Sequence, residues 1–349
     1  MASRQSIILL LLSVFFTSCI DEIRLDIDSE QQFLVVDGQI TDSLQEHAIK
    51  VNFSANIGSG LDIVRPPVSG AQVRVLDNKG NSFEFAESSP GTYTRLMKGE
   101  PGDTYHVEVV TAEGKVIRSH PATLHKAPTL LPPTTRVIEQ LTISPTGRNI
   151  YDNRLSLEMN ADLSEMDERP FLRWRVSGEY EFGEDYPGII DRKICYVKNN
   201  LDFNIIKVFD TSELPGSELK NTPFLVTKYD HRFFYMYCFH LFQYAITEDE
   251  YEYWLRVRDI VNIDGSLFDP PPGTVTGNLF NANDPEDQIL GYFSVAGVSS
   301  MRHFTNATTM GYPVSQRCYG SPWRPQYPEC RECTQLVNSS VVRPPYWKP

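Results

Sequence analysis

The sequence has no H-E-x-x-H pair, no G-x-S-x-G elbow and no glycine-rich phosphate loop. It therefore lacks the marks of a zinc protease, a serine hydrolase of that type or a P-loop enzyme. Basic residues are also scarce: 32 Lys and Arg stand against 45 Asp and Glu, a formal net charge of −13. Such a chain repels phosphate backbones and anionic lipid surfaces at long range, so no nucleic-acid partner is expected. Neither apolar run, Ile7 to Phe16 or Phe233 to Phe242, reaches the ~20 residues that a spanning helix requires. Adjacent carboxylates such as Asp21/Glu22, Glu184/Asp185 and Asp249/Glu250 arise by composition alone, whereas a glycosidase pair is defined by separation in space. We expect no catalytic residue, no metal and no cofactor. The acidic tract Asn283 to Gln288 lacks the D-x-[DN]-x-[DN]-G calcium pattern and reads as a capped turn.

What is present begins with a leader. Arg4 precedes the apolar stretch Ile7 to Phe16, and Phe16, Thr17 and Ser18 run into Cys19. This resembles a bacterial lipoprotein signal over residues 1–18. The resemblance implies cleavage before Cys19, acylation of its thiol and new amine, and a lipid bilayer as the first partner. Residues 19–32 are then a tether. Within it Ile20, Asp21 and Glu22 resemble the acidic signal by which Bacteroidota send lipoproteins to the cell surface, implying an outer-membrane protein that faces the exterior.

Five of the six cysteines remain: Cys195, Cys238, Cys318, Cys330 and Cys333. Cys238, within the apolar RFFYMYCFHLF, reads as a buried unpaired thiol. The other four are disulfide candidates that would staple the C-terminal tail, with pairing left open. The C-x-x-C of Cys330 and Cys333 invites zinc or redox chemistry, but it has no second ligand pair and no strand-to-helix context.

The rest of the chain, 41% hydrophobic and 22% charged, reads as globular and mainly β. Residues 33–40 form a strand. Ala71, Val73 and Val75 alternate before a turn at Asp77 to Gly80, and Phe83 and Phe85 return as a hairpin. SSPGTY and the hairpin YHVEVVTAEGKVIRS continue the series. We expect two antiparallel Ig-like or fibronectin-like β-sandwich domains in tandem, over 33–125 and 126–349, divided at the Pro-rich stretch from His125 to Thr135. In the second, Leu155, Leu157 and Met159 alternate, as do Leu172, Trp174 and Val176, and Trp174 is assigned to the core. Phe233 to Phe242 reads as a central buried strand. One amphipathic helix is expected over about 247–261, opened by the capping box of Thr247 and Glu250, with an apolar stripe of Tyr251, Trp254 and Leu255.

The stretch LFDPPPGTVTGNLFNANDPEDQILGYFSVAGVSSMR, residues 267–302, closely resembles the diagnostic segment of DUF4249, a family of Bacteroidota lipoproteins without an assigned biochemical function. LVVDGQITD, PVSGAQVRVLDNKGN, SPGTYT, YEYW and the ending CRECTQ…RPPYW extend the likeness, although VNSS at Val337 to Ser340 stands where the family commonly has a GGT-like turn. The resemblance implies an outer-membrane lipoprotein often encoded beside a TonB-dependent receptor. The expected function is a non-catalytic accessory or ligand-capture subunit of such a transporter, with a small peptide or glycan as cargo. Two alternatives stand: a free-standing glycan-, peptide- or host-protein-binding lipoprotein, and an enzyme of unrecognised type. As partner or ligand loops we single out Pro270, Pro271, Pro272, Gly277, Asn278, Tyr292 and Phe293, and the GEDYPG turn from Gly183 to Gly188. For the prolines and Gly277, stiffening and turn formation are the alternative. DSL at Asp42 to Leu44 resembles a short O-glycosylation motif, which would place sugar on Ser43.

Overall fold

The computed structural model describes residues 32–55, 65–144, 146–166, 170–199, 201, 205–212, 214–262, 274–324 and 327–347. Cys19, the tether through residue 31 and Pro270, Pro271 and Pro272 lie outside them.

The described chain is mainly β. The N-terminal half supplies β1 (Leu34–Thr41), β2 (Gln45–Phe53), β3 (Gln72–Asp77), β4 (Ser82–Ser89), β5 (Thr92–Met97), β6 (Thr104–Val110), β7 (Val116–Ser119) and β8 (Ala122–Thr123). There follow β9 (Thr129–Ile143), β10 (Asn149–Asp162), β11 (Phe171–Gly183), β12 (Ile194–Asn199), β13 (Lys207–Asp210), β14 (Glu218–Lys228) and β15 (Tyr237–Ile246). Helix α1 (Glu248–Val261) precedes β16 (Leu279–Asn281) and β17 (Ile289–Thr305), and the tail holds the short α2 (Pro328–Arg331) and β18 (Ser339–Ser340).

The hairpins follow the alternation. Val73 pairs with Phe85 and Val75 with Phe83 across β3 and β4, and all but the partly exposed Phe83 are buried. The turn between them is held by Asp77, whose carboxylate accepts from the backbone N–H of Lys79 at 2.9 Å and of Asn81 at 2.8 Å. Gly80 supplies the positive φ of +86° that the turn needs.

Among the described residues two large hydrophobic cores form, with two smaller clusters beside them. The first gathers Val36, Ile40, Ile49, Val75, Tyr93 and Val107, and the second Leu155, Leu157, Trp174, Phe233, Phe239 and Leu241. Trp174 is buried, with its Nε1–H donating to Gln243 at 2.9 Å. The cut expected at residue 125 does not separate the two cores. β16 pairs with β7, and the first half of β17 pairs with β1 from Leu34↔Ile289 to Thr41↔Ala296. Leu279, Ile289, Phe293 and Val295 therefore belong to the N-terminal core. The second half of β17 pairs with β15, so one 17-residue strand serves both units. The β1–β17 pair is parallel, where a wholly antiparallel arrangement was expected. A continuous hydrogen-bonded path thus runs from β16 through β1 and β17 to β18.

Other boundaries also shift. The Pro-rich stretch is not a linker: β9 begins at Thr129 and buries Leu130. It lies at the edge of the three-stranded sheet β14-β10-β9, where missing proline N–H groups remove no ladder bond on the open side. The apolar run at Phe233 opens as a 3-10 turn over His231–Phe233, and the strand starts only at Tyr237. From there it lies between β11 and β17, buried on both faces.

Helix α1 occurs where expected, and Thr247 caps it by accepting from Glu250 N–H at 3.3 Å. Its innermost residues are Glu250 and Tyr253, while Tyr251 and Trp254 pack at the margin of a cluster with Tyr244, Ile246 and Ala296. The Glu250 carboxylate does not return to the cap. It is 1% exposed, with the Ser294 hydroxyl 2.9 and 2.8 Å from its two oxygens and Trp254 Nε1–H donating at 3.1 Å, and it forms an ion pair with Arg173, whose Nη1 lies 3.8 Å away. The Arg173 guanidinium lies 3.5 Å from the Trp254 ring centre. Burial pushes the Glu250 carboxyl up, against the pull of Arg173, and the same burial brings Arg173 down to about 10.

Candidate functional site

Of the residues singled out for binding, Gly277, Asn278, Tyr292 and Phe293 occupy closely packed positions. Phe293 is fully buried in the N-terminal core. The Asn278 amide acts as a substitute backbone partner, donating to the Phe293 carbonyl and accepting from its N–H, both at 2.9 Å. Gly277 is required by close approach, since a Cβ there would sit 1.8 Å from the Gly291 carbonyl oxygen. Tyr292 packs on Tyr253 with ring centres 4.7 Å apart and is 7% exposed. None of these four presents a side-chain face to a ligand. In GEDYPG, Glu184 is buried and accepts from Cys333 N–H at 2.9 Å and Lys193 N–H at 3.0 Å, while Asp185 pairs with Arg192. Asp287 in the acidic tract pairs with Lys115 and Asn281, and Asp284 accepts from Glu286 N–H, as a capped turn does. Ser43 lies exposed in the turn between β1 and β2.

The three tail cysteines and Cys195 of β12 form Cys195–Cys333 and Cys318–Cys330, so the two members of C-x-x-C face different partners. Cys238 is free and buried, and burial pushes its thiol up to about 12. The closing RPPYW is strapped over it: Trp347 donates to Glu181 at 2.7 Å, and Tyr346 donates to Glu179 beneath the Arg302 guanidinium. In VNSS, Asn338 adopts φ +62°, the left-handed conformation that glycine would take at no cost.

Among the described residues three concavities are large enough for a small ligand: one of about 460 Å³ beside Thr135, His303 and Tyr312, and the two that follow. One, of about 550 Å³, lies between Gly102 and Leu124 on one side and Met166, Phe171 and Ile246 on the other. Its walls are largely apolar, and across it Lys126 and Glu165 are 3.5 Å apart and face each other. The other, of about 430 Å³, lies where the end of β14 and the 3-10 turn meet the disulfide-clasped tail. Tyr229 forms its floor, its O–H donating to the Tyr312 carbonyl at 2.7 Å. Tyr319 and Tyr327 line it, along with Asn153, Gln316 and Arg317.

The charges of this second cleft are paired. Burial pushes Asp230 up, but the Arg232 guanidinium, donating at 2.8 Å, more than reverses this and holds the carboxyl below its usual range. Burial also raises Glu329, and its backbone hydrogen bond together with Arg317 at 2.7 Å bring it below that range. His231 is lowered chiefly by burial, so its ring is neutral at neutral pH. Arg317 also stacks over Tyr327 at 4.2 Å and Arg324 over Tyr319 at 5.1 Å. On the same loop Trp323 is 92% exposed, and Tyr312 nearby is 42% exposed. An indole normally hides most of its large apolar surface. Cys318–Cys330 holds the bases of this loop together. Sequence reasoning missed the cleft because its walls are about eighty residues apart in the chain, yet a tryptophan among Pro, Gly and Ser between two cysteines was a readable signal.

No curated protein matches the chain. The tail from residue 303, with its cysteines, cleft loop and RPPYW strap, lies beyond the part that a family model matches, although its motifs had suggested that the likeness continued there. Residues 20–302 match the model described as a domain of unknown function, DUF4249, and the chain belongs to that family.

Proposed function

We propose that the protein is a lipid-anchored, non-catalytic capture subunit on the outer face of the outer membrane, working beside a TonB-dependent transporter. The observation that carries the capture reading is the tyrosine-lined cleft together with the exposed Trp323 on the disulfide-closed loop that supplies Tyr319 and Tyr327. Asp230 of the cleft is tied to Arg232, and the cleft's Arg317 to Glu329, an arrangement that holds shape rather than one that passes protons. The anchor rests on the leader ending at Cys19, and the transporter on the setting that the family resemblance implies. A free-standing glycan- or peptide-binding lipoprotein would use the same cleft, and differs in needing no receptor.

Surface placement is tested in cells. With an alkynyl fatty acid supplied in growth medium, the wild-type protein takes up label and Cys19→Ala does not. Proteinase K added to intact cells removes the labelled protein. A protein that carries no label, or that is protected until the outer membrane is broken, contradicts the reading.

A further inference from the structure

We propose that the tyrosine-lined cleft and the loop carrying Trp323 form a binding site for uncharged oligosaccharides. This rests on the capture reading and names its ligand class. Two independent features of the site select that class.

The first is the aromatic surface. Tyr319 and Tyr327 line the cleft, each with an arginine over one ring face and the other face left to a ligand, and Trp323 on the same loop and Tyr312 are exposed. Sugar rings carry C–H groups on their faces and hydroxyls around their edges, so they lie on aromatic faces while their edges stay available for hydrogen bonds. The second is the state of the polar groups. Asp230 and Glu329 are already neutralised by Arg232 and Arg317. That leaves no unpaired charge among these four to repay the desolvation of an ionic ligand. Among the polar groups still open at the cleft are two neutral, planar amides. Among the described residues the Gln316 side chain has no hydrogen-bond partner, and the Asn153 side chain meets only the Tyr312 hydroxyl, at 3.4 Å. An amide donates and accepts from adjacent atoms, which matches vicinal hydroxyls. The disulfide Cys318–Cys330 holds the loop in place before binding, which reduces the entropy lost on association.

The test is isothermal titration of the full folded chain with neutral hexasaccharides of the glucan, mannan, xylan and galactan types. Sulfated oligosaccharides and acidic, basic and uncharged oligopeptides serve as comparison probes. At least one neutral series binds with Kd below about 1 mM. Trp323→Ala, Tyr319→Ala and Gln316→Ala each weaken it about tenfold, with unchanged circular dichroism and denaturation midpoint. Neutral-sugar binding that survives all three substitutions overturns the assignment of the site. If only peptides bind, and Trp323→Ala abolishes that binding, the sugar class is overturned while capture stands. If no probe binds, both the sugar class and the cleft's capture role fall.

Discussion

Glu250→Ala lowers the free energy of unfolding by about 3–5 kcal/mol, the range for breaking a buried ion pair from one side. The carboxylate is the meeting point of three elements: its own helix, Arg173 of β11 and Ser294 of β17. Alanine leaves the half-stacked Arg173 guanidinium, the Ser294 hydroxyl and the Trp254 N–H without their acceptor, in a place that water does not reach freely. Glu250→Gln keeps an acceptor oxygen for Ser294 and Trp254 and loses only the charge, so it costs clearly less. Urea denaturation of the three proteins checks the order. A cost below about 1 kcal/mol for alanine, or a glutamine variant that is the weaker of the two, contradicts the assignment of Glu250 as the helix's anchor.

Removal of Cys195–Cys333, as the Cys195→Ala/Cys333→Ala double variant, costs about 4–5 kcal/mol in the chain-entropy model. The bridge spans 138 residues and ties the tail to β12. The Cys318→Ala/Cys330→Ala variant opens a separation of only 12 residues, for which the same model gives about 3 kcal/mol. The long bridge therefore has the larger effect on the denaturation midpoint. The short one has the larger effect on the cleft, because it clasps the loop bearing Tyr319 and Trp323. If the short bridge proves the greater stabiliser, the tail is not held by Cys195 in the way described.

How far these features were visible in the sequence depends on their range. Hairpins such as β3–β4 were legible because alternation and turn residues are local signals. The surplus thiol was legible because the apolar surroundings of Cys238 lie on its own strand. The pairing of Cys195 with Cys333 was not, since it depends on where the tail crosses β12. The parallel union of β1 with β17 joins segments about 255 residues apart, and each reads as an ordinary apolar strand whichever partner it takes. Gly277, Asn278, Tyr292 and Phe293 stand out in the sequence, but composition alone does not tell a contact surface from a close packing. Here a backbone approach at Gly291 and a side-chain mimic of strand pairing account for Gly277 and Asn278. Glu250 shows the same limit: the capping pattern located the helix start, while a tertiary partner, Ser294, took the carboxylate.

The central claim, a capture subunit that works within a transporter complex, is tested most directly by native pull-down. The tagged, lipidated protein is recovered from detergent-solubilised outer membrane, and the proteins that accompany it are quantified. The account predicts a TonB-dependent receptor in near-equal amount. Recovery of the protein alone, in detergents that keep other outer-membrane complexes intact, would contradict it.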